Sequence, residues 1–364
     1  MSASTSQTEI PPPLRNLIEA YLNSQAQNSV SFSSCCLAGD GSDRRYYRIQ
    51  TCLDERQLIA VDALRGWGKY QQINGVRVCE NHSFMYLAQH LSKLGFSVPH
   101  VLSCSLDSCY YLLQDLGTKT LYDLTKDGNW NIDIRLYYRQ ALTLLIEMQQ
   151  KAGIAFNPSW CYAGGHYDRR LIISRELEYF LKSFAVPLGN ISLSDAEQKS
   201  LALEFNQLAC QALEGPCRYF LYRDYQSKNL MIKDGRLWLL DFQGARLGPP
   251  YYDLASLIND PYVSMPFPIR NELLDYYYEH AAGPLSLPSR QRFSHFFALF
   301  SLIRCMQVLG AFGFLSGQKK RLHFRTYIPR ALSDLKRFAT DPRIAAEIPA
   351  LGQLISKLSY TNLS

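Results

Sequence analysis

The sequence predicts an α+β protein of two lobes, a small antiparallel β-rich lobe followed by a larger, mainly helical one. Three observations predict it. Residues 30–113 hold five short apolar runs bounded by turn residues, with one helix-patterned stretch among them. Residues 119–215 and 252–357 read mostly as helices. Between these helical blocks, FLYRDYQSKNLMIKDGRLWLLDFQGA breaks the pattern with two strand-sized runs around Asp234-Gly235, a hairpin signal.

The elements follow in order. Residues 1–29 read as a tail and a short helix: 1–13 are polar, loose and end in Pro11-Pro12-Pro13, and Leu14–Leu22 can form the helix. SFSSCCLAG leads into the turn Gly39-Asp40-Gly41-Ser42-Asp43 and then RRYYRIQ. RQLIAVDAL is the next strand-length run. Asn81–Leu94 has helical spacing, with Phe84, Leu87, Leu91 and Leu94 on one face and the stop signals Gly95 and Pro99 beyond it. HVLSCSL and CYYLLQDL complete the small lobe, 114–117 is the junction, and 118–357 forms the second lobe with a helical insertion.

Composition narrows the class. The 364 residues are 47% hydrophobic and 19% charged, ordinary for a globular chain. No run of about eighteen uninterrupted apolar residues suggests a membrane span, and the N-terminus lacks the pattern of a signal peptide. The ten cysteines are scattered, with no CxxC pair or Cys/His spacing for zinc, so reduced thiols and a cytoplasmic location are expected. A net charge of +6 suits an anionic ligand. The basic run Lys319–Arg325 has few aromatics and reads as a solvated face, not a nucleic-acid site.

The central segment carries the chemistry. Phosphoryl transfer needs a carboxylate to accept the proton of the attacking hydroxyl, and oxygen ligands for one or two metal ions on the phosphates. Tyr222-Arg223-Asp224-Tyr225-Gln226-Ser227-Lys228-Asn229 fits the pattern R-D-x-x-x-x-N. Asp241-Phe242-Gln243 comes twelve residues after Asn229, on the far side of the hairpin. Asp224 is therefore the candidate base, with Asn229 and Asp241 the candidate metal ligands.

The stretch YRDYQSKNLMIKDGRLWLLDFQGARLGPPYYDLASLI resembles the core of the aminoglycoside phosphotransferase and choline kinase superfamily. More closely it is similar to the branch of N-acetylmuramate/N-acetylglucosamine kinases, which phosphorylate cell-wall amino sugars. GDGSDRRYYRI, YYLLQDLG, YDRRLIISREL, RCMQVLGAFGFL and YIPRAL extend the resemblance over roughly residues 30–340. It implies a protein-kinase-like fold, ATP and Mg2+ as cofactors bound between the lobes, and a small-molecule acceptor, a sugar, with no nucleic-acid or membrane partner. It also implies that Gln114 and Leu116, in the junction, meet the adenine. Another small alcohol, such as an aminoglycoside or a choline-like metabolite, is the alternative acceptor. A nucleotide-binding homologue without catalysis is the third reading, because Tyr222 stands where the family has His and the phosphate-binding lysine is missing.

That lysine normally sits in an apolar strand, but here Leu58-Ile59-Ala60-Val61 ends in Asp62. The nearest cations are Arg44, Arg45 and Arg48, with Lys69 beyond, and an arginine can clamp phosphate oxygens bidentately. Strand alternation sends Arg44 and Arg45 to opposite faces; the face of Arg44 and Arg48 is the more polar. Glu80 either orients one of these arginines or acts as an acidic first-turn residue. Gly41 and Ser42 either cradle phosphates through backbone N–H groups or form a plain turn. Arg304, in an apolar helix, needs a substrate or carboxylate partner unless it snorkels. Glu176 and Arg175 either face the sugar or lie on a solvated helix face. Asp253 reads as a structural support for the catalytic loop.

Overall fold

The computed structural model of the protein describes residues 9–26, 30–37, 43–51, 57–64, 70–73 and 75–360. Gly41, Ser42 and Lys69 lie outside the described residues. The chain divides into two compact units: Met1–Lys119, Asn157–Gly165 and Met231–Ala245 make the first, and Thr120–Phe156, His166–Leu230 and Arg246–Ser364 the second. The hairpin segment carrying Asp241 thus groups with the β-rich unit, where the sequence division at residue 118 had placed it with the helices.

The first unit begins with α1 (Pro12–Gln25), β1 (Phe32–Leu37), β2 (Arg45–Thr51) and β3 (Gln57–Asp62). It continues with β4 (Tyr70–Ile73), β5 (Val76–Cys79), α2 (Glu80–Lys93), β6 (Val101–Cys104) and β7 (Tyr110–Gln114). Five of the strands form an antiparallel sheet in the order β1-β2-β3-β7-β6. Register places Tyr47 opposite Ala60 and Ala60 opposite Leu112. These residues, with Ile49 and Leu58, form one apolar cluster with Leu14, Ile18 and Leu22 of α1. Each such aliphatic side chain contributes on the order of 1.5–3 kcal/mol when fully buried. The N-terminal segment is therefore not a loose tail from Ile10 onward, because its i, i+4, i+8 stripe is needed to cover the sheet. The hairpin of β4 and β5 was not foreseen, although Asn74-Gly75 in the sequence is its turn signal. α2 stops where Gly95 takes a positive φ of 84°.

The second unit opens with α3 (Leu121–Thr125) and α4 (Ile132–Lys151). Two short helical pieces, α5 (Arg169–Leu171) and α6 (Glu178–Phe180), alternate with π-helical turns at Ile172–Leu177 and Leu181–Ala185. α7 (Asp195–Ala212) starts at a Ser194/Glu197 capping box. Then comes β8 (Tyr219–Leu221); the loop after it leads out of this unit into the hairpin of β9 (Leu230–Lys233) and β10 (Arg236–Leu239), which from Met231 belongs to the first unit and turns through Asp234-Gly235, both at positive φ. β11 (Arg246–Gly248) pairs antiparallel with β8. The remainder is α8 (Tyr251–Ile258), α9 (Phe267–Ala281), α10 (Arg290–Gly317), α11 (Ile328–Ala339) and α12 (Pro349–Lys357).

α10 has an 18-residue window of mean hydropathy 1.7, long and apolar enough to cross a membrane, but 78% of that window is buried inside the protein. Gly313 lets the helix close on the π-helical turn: a Cβ there would lie 2.1 Å from the Ser183 carbonyl oxygen. α10 is a core helix of the second unit, and it carries Arg304.

Candidate active site

In the second unit, β8 delivers Tyr222-Arg223-Asp224 and two buried carboxylates fix the loop from behind. Asp253 of α8 accepts the backbone N–H groups of Tyr222 at 2.6 Å and Arg223 at 2.8 Å. Arg223 is held there at a φ of +82°, a conformation unusual for a side chain of its size. Burial pushes the Asp253 carboxyl up to about 7, against the pull of those two N–H donors. Asp260 accepts both the N–H and the hydroxyl of Ser227, at 2.7 and 2.6 Å. Asn229 donates its Nδ2 to the Asp224 carbonyl at 2.8 Å, which anchors its side-chain amide. Tyr222, in place of His, is fully buried and packs edge-on against Tyr225 at 5.3 Å.

Arg304 finds the carboxylate partner that its burial requires. Its Nη2 lies 3.2 Å from Asp224 Oδ1, and its Nη1 bonds Gln307 and, at 3.4 Å, the Tyr252 hydroxyl. Burial alone would weaken this guanidinium's hold on its proton, but Tyr252 and Asp224 outweigh that and its pKa is raised. Arg304 is 4% exposed, so snorkelling is excluded. The Asp224 side chain is 34% exposed, so the same carboxylate is gripped from inside and open to a ligand outside.

Glu176 is not on a solvated face. It is fully buried in the first π-helical turn and accepts the Tyr167 hydroxyl at 2.6 Å. Burial pushes its carboxyl up, while Tyr167 and Arg223 pull it down. That places it to hold Arg223 and Tyr167, whereas its neighbour Arg175 is exposed. A cavity of about 710 Å³ in the insertion, lined by Ile173, Leu181, Leu201 and Phe205 among others, includes none of these residues.

In the first unit, Arg44 is 6% exposed and forms an ion pair with Glu80 at 3.4 Å. Gln243 donates its Nε2 to Glu80 Oε1 at 3.3 Å and to Asp241 Oδ1 at 2.5 Å. Asp241 has a positive φ of 63°, and Phe242 behind it stacks on Phe84, which stacks on Tyr111. One connected group thus runs Asp241–Gln243–Glu80–Arg44. The sequence reading missed Gln243, for which nothing but its place after Asp-Phe was a signal; Asp260 carried none.

Arg45 lies on the strand face of Tyr47 and Ile49, which pack toward α1, and its side chain is exposed. Arg48 is spent within the unit: it grips Asp115 through Nε at 2.5 Å and Nη2 at 3.1 Å, and the Gly117 carbonyl at 2.7 Å. Lys233 holds the Asp115 carbonyl at 2.8 Å, so residues 115–117 are strapped from two sides. The Gln114 N–H donates to the His100 carbonyl at 2.9 Å, and Leu116 is buried close by in the chain.

Against this geometry the relationships are clear. Residues 37–290 match the phosphotransferase enzyme family. The N-acetylmuramate/N-acetylglucosamine kinase of Pseudomonas aeruginosa is 30% identical over 88% of this chain and 87% of its own. The enzyme of that name from Neisseria meningitidis is 28% identical over 72% of this chain and 75% of its own. A crystal structure of a choline/ethanolamine kinase family protein from Mesorhizobium loti shares the fold, with a TM-score of 0.58 at 13% identity, covering 93% of this chain and 99% of that one. The protein is a small-molecule phosphotransferase with the two-part, kinase-like α+β fold. It belongs to the phosphotransferase enzyme family.

Proposed function

We propose that the protein transfers the γ-phosphoryl group of ATP to a hydroxyl of an N-acetylated amino sugar of the N-acetylmuramate/N-acetylglucosamine type, in the cytoplasm. The observation that carries it is the gripped but accessible carboxylate of Asp224. Asp224 accepts the proton of the acceptor hydroxyl as its oxygen bonds to Pγ and the bond from Pγ to the ADP oxygen breaks. Arg304 keeps the carboxylate in one orientation, and Asp253 and Asp260 keep the loop still. Arg44, oriented by Glu80, neutralises phosphate charge in place of the usual lysine. Leu116 contributes the backbone to the adenine.

Magnesium suits the donors. The Asp241 carboxylate of the first unit and the Asn229 amide oxygen of the second are each hard oxygen ligands of the kind that would suit magnesium. When bound, the ion offsets charge on the phosphates. Gly41 and Ser42 are assigned to the phosphates on the resemblance alone.

The two relatives reported above support the amino-sugar acceptor, since both share most of their length with this chain. The test is ADP release, measured by a coupled assay, with N-acetylmuramate, N-acetylglucosamine, glucose, choline and an aminoglycoside. The N-acetyl sugars are expected to exceed the others in kcat/KM by about tenfold or more. Preference for choline or the aminoglycoside would overturn the acceptor assignment.

A further inference from the structure

Outside the set of residues given to ATP and acceptor, the second unit holds a guanidinium that is unpaired among the described residues. Arg270 of α9 is 8% exposed, and its Nε is sealed from solvent with no acceptor. Among the described residues its side chain makes no hydrogen bond or ion pair. The charged groups that act on it all come from α11: Arg337, Asp334 and Arg330. Asp334, the one carboxylate of the three, is already shared. Arg337 Nη2 lies 2.7 Å from it and Arg330 Nε 3.9 Å. Burial and the two neighbouring arginines push Arg270 down to about 10, whereas Arg304 and Arg44, each with a carboxylate, are pushed up.

A buried cation without a counter-charge is costly, and such groups ordinarily come with a partner. Three guanidiniums around one carboxylate leave a local excess of two positive charges, the complement of a dianion. Guanidinium forks match phosphate oxygens in geometry as well as charge. Arg330 and Arg337 are 32% and 44% exposed, so an anion can reach the cluster from solvent. We propose that Arg270, Arg330 and Arg337 form a second anion site that takes a phosphate dianion, free or as a monoester, apart from the residues assigned to ATP.

The test is calorimetric and thermal titration with inorganic phosphate in phosphate-free zwitterionic buffer. Saturating magnesium-ADP is present so that the nucleotide site is filled. The wild-type protein is expected to bind one phosphate per chain and to gain Tm as phosphate rises. Arg270→Met keeps side-chain bulk and removes the charge; it is expected to lose about tenfold or more in phosphate affinity. Without phosphate its Tm should equal or exceed that of wild type, because an uncompensated buried charge is gone. Arg337→Gln alters an exposed position and is expected to weaken phosphate binding in the same direction, which decides the matter if Arg270→Met does not fold. A sugar 1-phosphate competing with inorganic phosphate would make the monoester the ligand; failure to compete would leave free phosphate. No phosphate binding by wild type under these conditions, or equal binding by both variants, would overturn the site.

Discussion

The two units hold their key carboxylates in different ways. In the second unit Asp224 is met by a cation, Arg304, that is buried and bonded on both sides. In the first unit Asp241 is met by the neutral amide of Gln243, which it shares with Glu80. A guanidinium fixes a carboxylate's direction and keeps its negative charge while leaving its second oxygen to a ligand. An amide holds a carboxylate in position by a hydrogen bond without adding a charge of its own. The difference fits the roles proposed for the two aspartates, a proton acceptor for Asp224 and a metal ligand for Asp241.

The largest effect expected from breaking this contrast is at Asp224. Asp224→Asn should lower kcat by about a hundredfold or more while the protein folds and binds ATP. Near wild-type turnover would remove Asp224 from the base role. Arg304→Met should come next, with kcat down by about ten- to a hundredfold and stability down by about 2 kcal/mol, because Asp224 loses its inner partner. Steady-state assays beside thermal melts separate the two: a fall in Tm with unchanged kcat would make Arg304 a core residue without a positioning role.

Within the first unit the contrast is between neighbouring arginines. Arg44→Ala should raise KM for ATP by about tenfold and lower kcat, because its contact strengthens as charge moves onto the leaving phosphate. Arg45→Ala should stay close to wild type, since Arg45 shares the face that packs on α1. Equal effects from both, measured with one acceptor and varied ATP, would dissolve the distinction.

The smallest effect concerns pH. Folding raises the Asp253 carboxyl to about 7, from about 3.9 in an unfolded chain. The folded state therefore binds the extra proton between those values. That contribution to stability is fully present below about 4 and is lost as pH rises through 7. Asp253→Asn is expected to be less stable throughout, because it cannot accept both N–H groups, and to show a flatter stability profile from pH 4 to 7. Chemical denaturation across that window measures it; a slope identical to wild type would mean Asp253 does not titrate there.

What was legible in the sequence was what lies close along the chain. Asp224, Asn229, the Asp234-Gly235 turn and Asp241 occupy one stretch, so spacing sufficed to group them. The Arg44–Glu80 pair was half legible, as one of several arginines and a first-turn acid. Arg304 announced its need for a partner by being charged in an apolar helix, but Asp224 is 80 residues away and no local rule names it. Of the two readings of Glu176, the solvated face is the one that fails: the residue is buried within the π-helical turn 172–177, whose period is not the roughly 3.6 residues that a sequence reading assumes. α1 was undervalued because a short amphipathic stripe shows its worth only beside the sheet it covers.

The account rests on Asp224 serving the acceptor and Asp241 serving the nucleotide. Calorimetric titration of ATP into Asp241→Ala and Asp224→Asn, each with and without magnesium, tests this directly. The account predicts that Asp224→Asn binds magnesium-ATP like wild type, and that Asp241→Ala loses the magnesium-dependent part of ATP binding while keeping its fold. Magnesium-ATP bound by Asp241→Ala as tightly as by wild type would contradict it.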